Sequence, residues 1–294
     1  MTDHVQKKPR RSLSTQRIVL FFSAVFALSA VFSGTSSQAQ IRYATGQDVV
    51  PVFEGWERNA DGSFNMVFGY MNRNYEEEVD VPVGPNNALE PGGVDQGQPA
   101  HFYPRRQQYV FSVRVPKDWG KKDLVWTLTS HGKTEKAYGT LMPTWEIDAG
   151  TYQQNRGGPG ALGEDDDPPS IKVEGAPQRT VTTGSALTLD AFVTDDGRPT
   201  ARPSQSGSNA RVEGPLMQAV VRLDRGVRLG VVWIVYRGDA KAVTFEPRKI
   251  PVTDGKASTT VRFSAPGTYT LRAYADDGIL VAAKDVTVTV TAAR

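Results

Sequence analysis

The sequence predicts an all-β chain: two β-sandwich domains in tandem behind a cleaved N-terminal signal peptide. Three observations carry this. Apolar residues recur at every second position through most of the chain, the repeat of strands with one buried face. Asp-Gly and Gly-containing turn pairs punctuate those runs. The first forty residues read as an export leader rather than as structure.

In that leader, Lys7, Lys8, Arg10, Arg11 and Arg17 form a positive region ahead of an apolar run from Ile18 to Phe32. Ser37-Gln38-Ala39 is an A-x-A-like cleavage site before Gln40. The run falls short of the roughly 20 apolar residues a membrane span needs. Arg10-Arg11-Ser12-Leu13 partly resembles a twin-arginine signal, but Ser14 stands where a second apolar residue is usual, which favours Sec export. The expected location is periplasmic or secreted, with no membrane span after processing.

Of the 34 Lys and Arg and 32 Asp and Glu, the leader takes five and one, leaving 29 against 31. The mature chain is thus slightly acidic, and charge gives no reason to expect nucleic acid. Zero cysteine removes disulfides, thiol catalysis, thiolate metal sites and a lipoprotein anchor together.

Residues 40–150 read as the first sandwich. Val49–Trp56 is an apolar strand, and Asp61-Gly62 turns it back. Phe64, Met66, Phe68 and Tyr70 then alternate with their neighbours, as do Tyr109, Phe111, Val113 and Val115, and Leu124, Trp126 and Leu128. His131-Gly132 turns into Thr134–Leu141. Between Pro82 and Pro104 lies a Gly/Pro/Asn stretch longer than hairpins require, of the kind that carries binding sites on rigid scaffolds. The Gly/Pro/acidic segment 151–169 (TYQQNRGGPGALGEDDDPP) marks the domain boundary.

Residues 170–294 read as the second sandwich. Leu187, Leu189, Ala191 and Val193 share one strand face. Leu229–Tyr236 is apolar on both faces, so part of it should meet the first domain or another subunit. Val252–Lys256 is a hairpin signal, Tyr269, Leu271 and Ala273 lead to Asp276-Asp277-Gly278, and Val286, Val288 and Val290 close the chain. The stretch from 198 to about 215 is poor in apolar residues and reads as an insertion.

GSALTLDAFVTDDG, the Trp233 strand, FSAPGTYTLRAYADDG and DVTVTVT, in that order, resemble bacterial extracellular immunoglobulin-like domains of the PKD and cadherin-like kind. The resemblance implies an immunoglobulin-like second domain, Trp233 as its core tryptophan on strand C, and Tyr269 as the corner tyrosine opening strand F. Leu271 would stand where antibody domains place a cysteine. VFEGWERNADGSFNMVFGYMNRN and VPKDWGKKDLVWTL resemble the start of an uncharacterised family of exported bacterial proteins, which implies no activity.

Two constellations are candidate sites. In an immunoglobulin-like sandwich the start of strand A and the B–C and F–G loops share one end. That would bring Asp165, Asp166 and Asp167 together with Asp195, Asp196, Asp276 and Asp277, oxygens enough for calcium. The plainer reading is Asp-Gly turn chemistry and a solvated linker. The second candidate is His101, Tyr103, Arg105 and Arg106 with Trp119, the aromatic expected to be most exposed: rings to stack on sugars, guanidinium forks to grip carboxylate or sulfate. Against it, Arg105 and Arg106 would equally pair with Glu76–Glu78.

Catalysis finds little support. No H-E-x-x-H or G-x-S-x-G exists, and nothing places His101 or His131 beside a serine. Asp118, Asp123, Glu135 and Glu146 are available for carboxylate-pair glycoside hydrolysis, whose geometry only a fold can set. The expectation is therefore a non-catalytic structural or recognition module docking an envelope or extracellular protein. A carbohydrate-binding accessory protein and, third, a glycoside hydrolase are the alternatives.

Overall fold

The computed structural model describes residues 43–152, 166–198, 223 and 227–293. The leader, Asp165, most of the expected boundary segment and nearly all of the expected insertion at 198–215 lie outside them. The chain is all-β, built on two sandwich cores, and residues 42–294 form one compact unit.

The first sandwich faces two three-stranded sheets. One is β1 (Val49–Arg58), β2 (Phe64–Asn72) and β6 (Arg105–Val115); the other is β4 (Asn87–Glu90), β7 (Leu124–Ser130) and β8 (Lys133–Gly139). A short ribbon joins β3 (Val79–Asp80) to β5 (His101–Phe102). The alternation read from β2 and β7 is the core: Met66, Phe68, Leu124, Trp126 and Leu128 are fully buried. His131 and Gly132 both have positive φ (46° and 74°), the backbone of a two-residue turn that matches strand twist. In β6 the expected alternation breaks. Tyr109 takes φ 52° inside an irregularity opposite Phe68–Tyr70, so it leaves the register that Phe111, Val113 and Val115 keep.

The second sandwich stacks β9 (Ser170–Val173), β11 (Ala186–Thr194), β15 (Lys256–Phe263) and β13 (Val243–Glu246) on a five-stranded sheet. That sheet runs β10 (Gln178–Thr182), β17 (Val281–Thr291), β16 (Gly267–Asp276), β12 (Gly230–Arg237), β14 (Lys249–Pro251). β9 pairs antiparallel with β11, whereas β10 crosses to run parallel to β17. This split first strand, with the sheet order around it, is the immunoglobulin-like arrangement. Trp233 is fully buried and stacks on Phe245 with 6.4 Å between ring centroids. The Tyr269 hydroxyl donates to the Ala265 carbonyl at 2.9 Å, closing the tyrosine corner, and Leu271 is fully buried behind it.

β12 explains how the sandwiches meet. Val231, Trp233 and Val235 face the second core, while Val232, Ile234 and Tyr236 turn outward and are equally buried. With Tyr274 of β16 they pack on Tyr103 and Val110 of the first sandwich. The double-faced apolar strand is thus an internal interface.

Candidate functional site at the junction of the sandwiches

Residues 95–103, part of the 82–104 stretch read from sequence as a binding loop, are spent on this junction. β14 pairs with β12 as far as Val232 and Arg248 takes the Trp233 N–H and carbonyl, so the outer edge of β12 beyond Trp233 needs other partners. Tyr103 supplies them. Its hydroxyl accepts from the Val235 N–H at 3.0 Å and donates to the Val235 carbonyl at 3.2 Å. Burial pushes this phenol well above its ordinary range, so it stays a neutral donor. The Ala100 N–H donates to the Tyr236 carbonyl at 3.2 Å, and the Tyr236 hydroxyl donates to the Gly97 carbonyl at 2.5 Å.

Two arginines complete the lock. Arg237 donates through both terminal nitrogens to Asp95 (2.7 and 2.8 Å) and reaches the Gln98 carbonyl. That pairing holds Asp95 down at about 2. Arg272 is buried, its guanidinium carbon 3.5 Å from the Tyr236 ring centroid. It forks onto Asp285 (2.7 and 2.8 Å) and donates to the Val110 carbonyl at 2.7 Å. Burial opposes its charge, but Tyr274, Tyr236 and Asp285 keep it protonated. Sequence reading passed over Asp95, Arg237 and Arg272. A signal was there: each arginine sits in or beside an otherwise apolar run.

The structure places the members of the aromatic-basic patch as follows. His101 is buried, with Nδ1 2.7 Å from Asp80 and Nε2 3.0 Å from Glu78. Arg105 is buried over the Tyr75 ring and donates to the Arg73 carbonyl at 2.8 Å. Arg106 pairs with Glu54, across the sheet, rather than with Glu76–Glu78. Trp119, expected to be exposed, folds into the first core and donates from Nε1 to the Lys122 carbonyl at 2.7 Å. A small sandwich without disulfides needs its large rings inside, and the polar groups drawn in with them find carboxylate or backbone carbonyl partners there.

Of the acidic residues Asp165 lies outside the described residues, and the others serve mostly as turn formers. The Asp167 N–H donates to Asp196 Oδ2 at 3.3 Å, joining the start of the sandwich to the loop after β11. Asp195 and Asp276 each accept from the N–H two residues on, at Gly197 and Gly278. Asp277 is different. It is 3% exposed, its Oδ1 accepts from the Ile279 and Leu280 N–H groups, and its Oδ2 is buried without a hydrogen bond. Burial, with Asp166 and Asp276 nearby, pushes it up to about 7. Among the described residues no three His, Cys, Asp or Glu side chains come together closely enough to hold a metal ion.

What the junction leaves open is a cleft of about 1120 Å³ between the sandwiches. The β6 stretch Gln107–Ser112 walls one side; Tyr274, Val281 and Ala283 face it, and Glu57, Asp148 and Asp167 lie on its rim. Of the carboxylates available for hydrolysis only Glu146 lines it, paired with Arg58 at 3.5 Å. His101, with both ring nitrogens engaged, has none left to act as a base.

Fold and site thus define an all-β, immunoglobulin-like protein with a polar lock between its two sandwiches. No family model matches the chain, and no curated protein does, so the family resemblance of the first half is unsupported. Solved structures similar to it include the D00-D0 domain of intimin, at 12% identity over 82% of this chain and 100% of that one (TM-score 0.26). Domains 4 and 5 of the S-layer protein SbsC match at 12% identity over 58% and 66% (TM-score 0.26). The N-terminal eight Ig domains of Down syndrome cell adhesion molecule match at 9% over 83% and 27% (TM-score 0.24). Scores this low carry no argument about function. Among the described residues no helix is long and apolar enough to cross a membrane.

Proposed function

We propose that this chain is an exported, non-catalytic recognition module of the bacterial envelope or extracellular space, docking a protein partner in the cleft between its two sandwiches. One observation carries the reading: the loop and rings best suited to a small ligand are consumed by the internal lock, and the cleft remains. Burial of Tyr103 and Trp119 also takes away the stacking platform a glycan-binding module would use, which ranks protein docking above polysaccharide. The exposed carboxylates Asp148 and Asp167 on the rim favour a partner presenting basic side chains. The test places a photo-crosslinking residue at Gln108, on the cleft wall, or at Tyr138, exposed on β8. In envelope fractions the Gln108 position should give a discrete protein adduct and Tyr138 none. Equal labelling from both positions, or retention of the chain on polysaccharide, refutes the reading.

A second reading, a calcium ion beside Asp277, is favoured by its buried Oδ2 within electrostatic reach of Asp166. Asp277 and Asp166 would bind it and other oxygens would have to complete the shell. Thermal melts with calcium and then EDTA test it: the transition should rise and fall back, by more at pH 8 than at pH 6, because the ion competes with a proton. An unchanged transition at both pH values refutes it.

A further inference from the structure

The buried histidine at the junction has no role in the reading above, yet its surroundings are built with care. Glu78 and Asp80 lie two residues apart, so they share one face of the chain leading through β3. His101 is the cross-strand partner of Asp80 in β5. The imidazole therefore sits between two carboxylates, 2.7 Å from one and 3.0 Å from the other. Both bonds can be made at once only if both ring nitrogens carry protons, because an ionised carboxylate accepts and cannot donate.

Two residues on, Tyr103 lies edge-on to the imidazole, with 4.6 Å between ring centroids. It carries the hydroxyl that caps β12 at Val235. Its own N–H donates to the Tyr70 hydroxyl at 2.9 Å. From the second sandwich, the Arg248 guanidinium lies 5.2 Å from the Tyr103 ring centroid and within electrostatic reach of Glu78. The groups facing His101 are thus Asp80, Glu78, Tyr103 and, across the junction, Arg248. Its charge is matched by two carboxylates, one of which also answers the arginine of the other sandwich.

We propose that His101 is a proton-operated catch for the two sandwiches: its doubly protonated ring braces β3 to β5 and fixes Tyr103 against β12, and loss of one proton releases that brace. A neutral ring can donate to one carboxylate only, and its bare nitrogen then faces the other across a buried contact. Burial works against the charged ring, but the Asp80 and Glu78 bonds outweigh it and raise the pKa above its ordinary value of 6.5. With the folded value raised, the brace is fully present below 6.5 and is lost as pH rises through the folded value. Opening therefore belongs to the alkaline side.

Asp277 also titrates near the junction, so the experiment uses an Asp277→Asn background. Small-angle scattering of the mature chain between pH 6 and pH 10 should show the radius of gyration increasing with a midpoint above 6.5. Asp80→Asn with Glu78→Gln keeps oxygen acceptors but removes the charges, and should move that midpoint down. His101→Gln should be insensitive over the same range. Should that variant fail to fold, nitrogen-15 imidazole spectra of the unaltered protein decide instead: both ring nitrogens protonated at pH 6 are expected. A ring neutral at pH 6, or a radius profile that the paired carboxylate substitution leaves in place, overturns the proposal.

Discussion

Replacing Tyr103 with Phe removes one oxygen and keeps the ring, so it isolates the cap on β12. That oxygen is the partner of both the N–H and the carbonyl of Val235, in contacts closed to solvent. Phe cannot replace either bond, and β14, which stops at Val232, cannot reach them. Leaving one buried backbone group unsatisfied costs about 1–3 kcal/mol. Two such groups, allowing for some relaxation, set the expected loss at about 2–4 kcal/mol. The Tyr70 hydroxyl, which meets the Tyr103 backbone rather than its side chain, is undisturbed. Urea unfolding followed by tryptophan fluorescence reads the loss, with Tyr138→Phe on the exposed edge as the control. The slope for small proteins is about 1–3 kcal/mol per molar urea, so the midpoint should fall by about 0.7 M or more, against no change for the control. A fall equal to that of Tyr138→Phe would mean that the hydroxyl does not hold the sandwiches together, and the junction argument would go with it.

Arg272→Lys should behave nearly like Arg272→Ala, since an ammonium cannot lie flat on Tyr236 while reaching both Asp285 and the Val110 carbonyl. A loss of about 3 kcal/mol is expected by the same urea assay, and full retention by the lysine variant would contradict it. Asp277, pushed up to about 7 from an ordinary 3.8, binds its proton more tightly folded than unfolded. Its contribution is therefore fullest below pH 3.8 and declines as pH rises to about 7. Asp277→Asn should flatten that decline, raising the melting temperature at pH 8 relative to the parent and changing it little at pH 4. Gly55, at φ 138°, lies where a Cβ would press on the Trp145 carbonyl and meet Ile147 Cγ1 at 2.6 Å. Gly55→Ala should cost about 1–3 kcal/mol in the urea assay, and a neutral result would show that the 145–147 segment yields freely.

Strands and cores were legible because each is a local pattern. Met66 and Phe68, and Leu124 and Trp126, announce their burial by spacing alone, while the core place of Trp233 and the Tyr269 corner followed from the resemblance to immunoglobulin-like domains. Even the two-faced apolar character of Val231–Tyr236 pointed to an interface. What covers that strand was not legible, because Tyr103 and Val235 are 132 residues apart and no period connects them. The placing of the candidate residues was not legible for a related reason. His101, Arg105, Arg106 and Trp119 are the residue types of binding surfaces, and only the fold reveals the carboxylate or carbonyl each meets, distant in sequence for the first three and three residues on for Trp119. Tyr109 shows the finer limit, where a single irregularity in β6 undid a correct alternation.

The capping of β12 from outside its own sandwich has a consequence for how such a protein can be reused. Immunoglobulin-like units are commonly strung like beads, each closed on itself and free to be duplicated or swapped. Here the second bead borrows a hydroxyl and an amide from the first to finish its sheet. Cut out and fused elsewhere, it would carry a bare strand edge flanked by Val232, Ile234 and Tyr236, an invitation to stack with its own kind. The pair, not the single bead, is the smallest piece that recombination can move intact.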